Sequence, residues 1–288
     1  MSVEVAIRSE ALLGEGPRWD GETRRLLWVD IEAGALHVFD PVRGNDRAIP
    51  LGARVGAAAP TRGGDVLVAL ADRLALVDLA DECVRTLVGM PHGPELRLND
   101  GACDPAGRFW VGSMALDVAP GAASLYRYSR DGGLDRVLSD LTLSNGLGWT
   151  PDGRGMYFID SRAHRVDLFD FDVSTGAISG RRLFAAIDRA DGLPDGLAVD
   201  DDGGVWVALY GGGAVRRYDA DGSLDRVVSV PAENVTACCF GGDDGRSLYI
   251  TTASVGLTAD ERRQQPLAGS VFVTDVGCSG PPAQPFAG

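Results

Sequence analysis

Residues 26–30 read Leu26-Leu27-Trp28-Val29-Asp30, a short apolar segment with an aromatic residue at its centre. Segments of the same texture recur five more times, centred on Leu67, Trp110, Tyr157, Trp206 and Tyr249. The spacings between successive centres are 39, 43, 47, 49 and 43 residues. A second apolar-aromatic segment follows each one, as Leu36-His37-Val38-Phe39-Asp40 follows the first, and turns rich in Asp and Gly precede them. The pattern predicts pairs of short β-strands repeated six times.

Repeats of about 40–50 residues that consist of short strands are typical of a β-propeller. The sequence therefore predicts an all-β fold, a six-bladed β-propeller with four-stranded blades, in which residues 1–288 form a single domain. The alternating segment Val3-Glu4-Val5-Ala6-Ile7 precedes the first repeat. We expect it to close the ring as the outer strand of the last blade, which removes an exposed sheet edge. Another antiparallel all-β fold is the alternative.

The charge of the chain limits its partners. Its 288 residues include 27 Lys and Arg against 41 Asp and Glu, a formal net charge of −14. Nucleic acid and anionic membranes repel such a surface, so we expect neither as a partner. The sequence contains no run of about 18 apolar residues, so it predicts no transmembrane helix. The start, Met1-Ser2-Val3-Glu4, lacks the basic and apolar stretches of a secretory signal, and we expect a cytoplasmic protein.

The cysteines and histidines limit the kinds of metal site and catalytic site that the chain can contain. The five cysteines are odd in number and contain no C-x-x-C pair, which disfavours a disulfide scaffold or a zinc ribbon. We expect buried thiols in a reducing compartment. The three histidines lack metal-ligand spacing and no G-x-S-x-G motif is present, so Ser-His-Asp catalysis is disfavoured. A bound metal would therefore have oxygen ligands.

Oxygen-bearing side chains followed by glycine occur at one phase of the repeats, 10 to 13 residues before the central position. Four repeats carry this dipeptide, as Glu15-Gly16, Asp100-Gly101, Asn145-Gly146 and Asp195-Gly196. The other two repeats have Val55-Gly56 and Thr236-Ala237 at this phase. Such dipeptides are also common in turns. The shared phase instead indicates the innermost strand of each blade, which lines the central channel.

The same position in different blades lies at a similar depth around the channel axis. We therefore expect Glu15, Asp100, Asn145 and Asp195 to converge at one mouth of the channel. Carboxylates brought together in this way repel one another unless a cation or a proton intervenes. A hard divalent cation held by carboxylate and amide oxygens meets this requirement.

Several segments resemble the signature segments of the senescence-marker-protein/regucalcin/gluconolactonase family. They run essentially from end to end of the chain: Leu13-Gly14-Glu15-Gly16-Pro17-Arg18-Trp19, Arg97-Leu98-Asn99-Asp100-Gly101, Ser144-Asn145-Gly146-Leu147, Pro194-Asp195-Gly196, residues 234–242 and Gln265-Pro266-Leu267-Ala268-Gly269. The resemblance implies a six-bladed propeller that binds one divalent metal and hydrolyses sugar lactones.

The resemblance also implies roles for individual residues. It places metal ligands at Glu15, Asn145 and Asp195, and a proton-transfer role at Asp195. It places substrate contacts at Arg97 and Asn99. A further substrate-contact position holds Asp117, where animal members carry the longer Glu.

These residue types suit lactone hydrolysis, which requires a polarised carbonyl and a base that activates water. Asp195 is our expected base, whereas Asp100 is either an alternative base or a group that supports the ligands. Arg97 suits a polyhydroxylated lactone and its carboxylate product. Oxygen ligands admit Ca²⁺, Mg²⁺, Mn²⁺ and Zn²⁺, so the cation stays open. The particular aldonolactone and the oligomeric state stay open as well.

Two other classes of function are compatible with the sequence. The first is a propeller without catalytic activity that binds or buffers calcium, because propellers often only bind. The second is an aryl-ester or organophosphate hydrolase on the same scaffold. Such an enzyme needs an apolar pocket, whereas Arg97, Asn99 and Asp117 favour a hydroxylated ligand.

Overall fold

The computed structural model describes residues 2–288, which form six four-stranded antiparallel sheets around a central channel. This arrangement confirms the predicted six-bladed β-propeller with four-stranded blades. Met1, the first residue of the predicted domain and of its start segment, lies outside the described residues. Among residues 2–288 no helix is both long and apolar enough to cross a membrane.

In the first five blades, the four strands follow one another along the chain from the channel outwards. The first blade contains β2 (Gly14–Asp20), β3 (Arg25–Asp30), β4 (Ala35–Asp40) and β5 (Asn45–Pro50), numbered after an N-terminal strand β1 (Glu4–Ile7). The second contains β6 (Val55–Pro60), β7 (Val66–Leu70), β8 (Arg73–Val77) and β9 (Val84–Gly89). The third contains β10 (Leu96–Cys103), β11 (Phe109–Ala115), β12 (Ala123–Ser129) and β13 (Gly133–Leu141).

The remaining blades repeat this plan. The fourth contains β14 (Ser144–Trp149), β15 (Gly155–Asp160), β16 (Arg165–Asp172) and β17 (Ala177–Ala186). The fifth contains β18 (Leu193–Val199), β19 (Val205–Tyr210), β20 (Ala214–Tyr218) and β21 (Leu224–Ser229). The sixth contains β22 (Val235–Gly241), β23 (Ser247–Thr252) and β24 (Val271–Asp275), with α1 (Ala259–Gln264) between its last two strands. Two 3-10 turns lie at Ser161–Ala163 and Arg189–Asp191.

The sixth sheet joins the two ends of the propeller. Strand β1 pairs antiparallel with β24 and is the outer strand of this sheet, with Glu4 opposite Val273. The inner strands of the sixth and first blades are also joined, because the Thr236 hydroxyl donates to the Gly14 carbonyl at 2.6 Å. The ring of blades is thus closed by contacts between the beginning and the end of the fold.

The aromatic residues that mark the repeats lie in the cores between the blades. Trp28, Trp110 and Trp206 occupy the second strands β3, β11 and β19 and have no exposed surface. Each indole N–H donates to an aspartate, as Trp206 donates to Asp200 at 2.9 Å. A buried indole needs such a partner. The repeat seen in the sequence is therefore the repeat of the blade core.

A β-bulge interrupts the pairing of every inner strand with its neighbour at nearly the same position. In the blades that carry the polar dipeptides, the register shifts between Glu15 and Arg18, between Leu98 and Gly101, between Ser144 and Leu147, and between Pro194 and Leu197. The second and sixth blades shift after Val55 and Val235. A bulge changes the direction of the side chains within it, and here it does so where the polar residues lie.

The glycines of the Asn145-Gly146 and Asp195-Gly196 dipeptides allow neighbouring inner strands to approach closely. A Cβ atom at Gly146 would lie 2.8 Å from the Asp195 carbonyl oxygen of the next blade. At Gly196 it would lie 2.4 Å from the Cβ of Ala237. These dipeptides lie within strands β14 and β18, so their glycines serve blade packing and not a turn.

Gly146→Ala should therefore destabilise the propeller. Overpacking of this kind typically lowers the free energy of unfolding by about 1–3 kcal/mol. Denaturant unfolding measures the difference, with Gly89→Ala as the matched control because a Cβ at Gly89 would meet no atom within 4 Å. Equal stabilities of the two variants would show that the inner strands are not closely packed at Gly146.

Candidate functional site

Polar side chains are buried where the inner strands bulge at one mouth of the channel. Glu15, Asn145 and Asp195 expose 5%, 3% and 7% of their surfaces. Asp100 and the neighbouring Arg97 and Asn99 of β10 are also buried. Six of the seven residues that the sequence indicated thus lie buried on inner strands β2, β10, β14 and β18.

Burial and mutual repulsion perturb the carboxyl groups strongly. Removal from water, followed by the charge of Asp100, raises the pKa of Glu15 to about 8. Removal from water and the charges of Glu15 and Asp100 likewise raise the pKa of Asp195 well above its usual range. Arg97 opposes both shifts, and burial lowers the pKa of its own guanidinium to about 10. The three carboxyl groups are therefore close enough to compete for protons.

A chain of hydrogen bonds links the third and fourth blades at this mouth. Arg97 Nη1 donates to Asn99 Oδ1 at 2.6 Å. Asn99 Nδ2 donates to Asn145 Oδ1 at 2.6 Å and to the Ser144 carbonyl at 2.9 Å. Asn145 Nδ2 in turn donates to the Ser161 hydroxyl at 2.7 Å. The two side-chain amides are consequently held in one orientation.

Asp100 lies against a second arginine. Its Oδ1 accepts hydrogen bonds from the Gly101 N–H at 2.7 Å and from Arg18 Nη2 at 3.2 Å. Arg18 also donates to the Gly101 and Pro17 carbonyls. Burial raises the pKa of Asp100, and the charge of Arg18 acts against that shift. Arg18 of the inner strand β2 thus places a fixed positive charge beside the Asp100 carboxylate.

Two aspartates hold the loops that precede the predicted ligands. Asp30, the last residue of β3, accepts from the N–H groups of Leu12 and Leu13 at 3.0 and 3.1 Å. Asp160, the last residue of β15, accepts in the same way from Thr142 and Leu143. Glu15 and Asn145 follow these loops by two residues. In the first and fourth blades, the second strand thereby positions the start of the inner strand.

Asp117 is not in the buried set. It lies exposed in the loop after β11, and its Oδ1 accepts from the Ala119 N–H at 3.0 Å. The same loop is tied to the start of β10, because the Leu116 N–H donates to the Glu95 carbonyl. Asp117 therefore lies at the rim on the side of Arg97, separated from the buried hydrogen-bond chain.

The donor set of the mouth fits a hard divalent cation. Glu15 and Asp195 offer two carboxylates and Asn145 offers an amide oxygen, the ligand types that such ions prefer. Their raised pKa values show that the polypeptide alone compensates the negative charge incompletely. Within residues 2–288, no group of three or more His, Cys, Asp and Glu side chains is arranged to hold a metal by itself.

A cavity of about 470 Å³ lies along the inner strands on the side of their final residues. It is lined by the final residues of inner strands and by the segment 281–284, and its walls include Trp19, Trp149, Val199 and Phe240. Arg18, which donates to Asp100, also lines this cavity. The apolar cavity therefore begins next to the Arg18–Asp100 pair.

Sequence reasoning missed the partners that hold the residues of the mouth in place. Arg18 was visible only as a charge on a predicted inner strand, three residues after Glu15. Asp30 and Asp160 were visible as the aspartates that end two of the repeated segments. Ser161 follows one of them and carries no signal of its own. Their roles depend on contacts between segments that are distant in sequence.

Fold and mouth together define a β-propeller whose channel ends in buried oxygen ligands suited to a divalent cation. A family model described as SMP-30/Gluconolactonase/LRE-like region matches residues 13–254, and the chain belongs to this family. The matched part contains every residue of the buried mouth.

Known relatives are similar over essentially the whole chain. Regucalcin of Danio rerio is 37% identical over 292 residues, which cover 100% of this chain and 99% of the relative. A putative sugar lactone lactonase of Bacillus subtilis is 38% identical over 290 residues, with the same coverage. A solved structure of a calcium-binding protein, regucalcin, from Agrobacterium tumefaciens has a TM-score of 0.95 at 29% identity, covering 99% of this chain and 97% of that one.

The Arg18–Asp100 pair makes a prediction about stability. Arg18→Met should destabilise the protein by about 3–5 kcal/mol at pH 8, because it leaves a buried carboxylate without its cation. The double variant Arg18→Met/Asp100→Asn should recover much of this loss. The deficit of the single variant should shrink towards pH 5, since Asp100, whose pKa is already raised, then takes up a proton. Thermal and denaturant unfolding at both pH values measure these differences. Additive effects of the two substitutions would contradict the pairing.

Proposed function

We propose that the protein is a hydrolase that depends on a divalent metal and opens an aldonolactone to the aldonic acid. The observation that carries this proposal is the set of buried, mutually repelling oxygen ligands at the channel mouth. Relatives named as sugar lactone lactonase and regucalcin support it at 38% and 37% identity.

Glu15, Asn145 and Asp195 would hold the cation. A bound divalent cation polarises the lactone carbonyl and stabilises the negative charge that develops on its oxygen. Two carboxylates balance the two positive charges, and three protein ligands leave positions for water and substrate.

Asp195 is the proposed base. Its carboxyl group is buried at the mouth, and it accepts the proton of the attacking water as the new C–O bond forms. The proton is then delivered to the ring oxygen as the lactone C–O bond breaks, which yields the open hydroxy acid. Asp100 is the weaker candidate because its Oδ1 is already engaged by Arg18 and the Gly101 N–H.

Arg97, Asn99 and Asp117 would contact the hydroxyl groups of the sugar. The pKa of Arg97 is lowered to about 10 by burial, so its guanidinium stays charged at neutral pH. A fixed cation of this kind suits the carboxylate that hydrolysis produces. Asp117 would reach the substrate from the exposed rim.

The two alternatives have unequal support. The relative from Agrobacterium tumefaciens is described as a calcium-binding protein, which keeps a role in binding alone as the second candidate. An aryl-ester or organophosphate hydrolase needs apolar walls beside its reacting groups. The groups buried beside the proposed ligands are instead polar, as Arg97, Asn99 and Asp100 are, which supports a hydroxylated substrate.

We also propose a small molecule as the partner, in place of nucleic acid or membrane, because of the net charge of −14. A reducing compartment such as the cytoplasm agrees with five cysteines that are all free thiols.

A pH-indicator assay on four aldonolactones tests the function. Metal-stripped protein should be inactive on glucono-, xylono-, arabinono- and galactonolactone, and at least one of Ca²⁺, Mg²⁺, Mn²⁺ or Zn²⁺ should restore turnover. An aryl ester serves as the control substrate and should be a poor one. Cation binding without turnover of any lactone would instead support the calcium-binding module.

Asp195→Asn should impair both metal affinity and turnover while preserving the shape of the side chain. Loss of a general base typically lowers kcat by about 10²–10⁴-fold. The measurement is kcat at saturating metal, corrected for spontaneous lactone opening. Asp202→Asn, in the exposed loop between β18 and β19, is the matched control and should behave like the wild type. Near-normal kcat of Asp195→Asn at saturating metal would make Asp100 the base.

A further inference from the structure

The direction of the hydrogen bonds at the mouth is set by Arg97. A guanidinium donates hydrogen bonds and cannot accept them. The Asn99 atom 2.6 Å from Arg97 Nη1 must therefore be the oxygen, which leaves Nδ2 as the atom that faces Asn145. Because Nδ2 donates, the Asn145 atom 2.6 Å away must be Oδ1.

The second amide is fixed from its other side as well. With Oδ1 turned towards Asn99, Nδ2 of Asn145 points at the Ser161 hydroxyl, whose oxygen accepts at 2.7 Å. Ser161 has no exposed surface, and its N–H donates to the Leu143 carbonyl at 3.0 Å. The hydroxyl accepts this hydrogen bond because Asn99 has already turned the amide nitrogen of Asn145 towards it.

We infer that Ser161 is a positioning residue for the cation site, which it serves by keeping the oxygen of Asn145 available as a ligand. The inference rests on the proposed function, because it takes Asn145 as a ligand. A carbonyl oxygen has two lone pairs. The Asn99 N–H occupies one of those on Oδ1, and the other is free for a cation.

Reversal of the amide would remove this ligand. Its NH₂ group would then face both Asn99 Nδ2 and the cation, and neither of them offers an acceptor. Asn99 opposes that reversal, and Ser161 anchors the amide on its other side. Without an acceptor at position 161, Asn145 Nδ2 has no partner on its buried side, and the side chain is free to move its oxygen away from the cation.

The hydroxyl of Ser161 is not needed to hold the local backbone. The preceding loop is held by Asp160, which accepts from the Thr142 and Leu143 N–H groups at 3.1 and 3.0 Å. The hydrogen bond described for the Ser161 hydroxyl is the one from Asn145. Its removal should therefore change the ligand more than it changes the fold.

Calorimetric titration of metal-stripped protein with Mn²⁺ tests the inference. Ser161→Ala should bind Mn²⁺ about 10- to 100-fold more weakly than the wild type, the usual effect of losing a group that orients a ligand. Ser161→Cys, which keeps the volume but offers only a weak acceptor, should behave similarly if Ser161→Ala does not fold. Ser113→Ala is the matched control. Ser113 is equally buried, but its hydroxyl contacts the backbone of Ser124.

A second background separates positioning from general support. In Asn145→Asp the side chain has two oxygens, so either orientation offers a ligand. Ser161→Ala should then weaken Mn²⁺ binding far less in the Asn145→Asp background than in the wild type. An equal loss in both backgrounds would mean that Ser161 supports the site only as packing, and would overturn the inference.

The titrations also distinguish this inference from the proposed function. If the wild type binds Mn²⁺ and Ser161→Ala binds it with equal affinity, the role of Ser161 is overturned but the proposed function is not. Absence of binding of Mn²⁺, Ca²⁺, Mg²⁺ and Zn²⁺ by the wild type would overturn both. Weaker Mn²⁺ binding by Ser161→Ala, with unchanged unfolding of the metal-free protein and recovery of kcat at saturating metal, is the expected result.

Discussion

Burial of several carboxylates at one end of a narrow channel is the constraint on which the rest of the site depends. Glu15, Asp100 and Asp195 are removed from water, which raises the pKa of all three, and the charge of Asp100 adds to the shifts of Glu15 and Asp195. Arg18 and Arg97 compensate this charge only in part. A compact dication is the natural complement to what remains, and the oxygen ligands present match its preferences.

The propeller meets this constraint through repetition. Inner strands that run in the same direction bring one position of each repeat to the same depth of the channel. Bulges at that depth redirect the side chains, and glycines such as Gly146 and Gly196 let the strands approach closely enough for the side chains to meet. The tryptophans are buried in the cores between the blades, and these rigid cores hold the side chains of the mouth in place.

The sequence predicted the elements that depend on periodicity. The phase of the polar dipeptides was enough to place Glu15, Asn145 and Asp195 on inner strands, because the repeat of the blades is also the repeat of the channel lining. It could not supply Arg18 as the partner of Asp100, or Ser161 as the partner of Asn145, since both pairs depend on side-chain directions within bulged strands. The dipeptides also read as turns in isolation, whereas the structure shows that Gly146 and Gly196 are required by packing between blades.

Crystals grown with Mn²⁺, measured at the manganese absorption edge, test the central claim most directly. The account predicts one anomalous peak at the channel mouth, within about 2.6 Å of oxygens from Glu15, Asn145 and Asp195. The Asn145 oxygen should be the atom that faces the metal, with its nitrogen on Ser161. A peak at another place in the channel, or full occupancy without contact to these three side chains, would contradict the account.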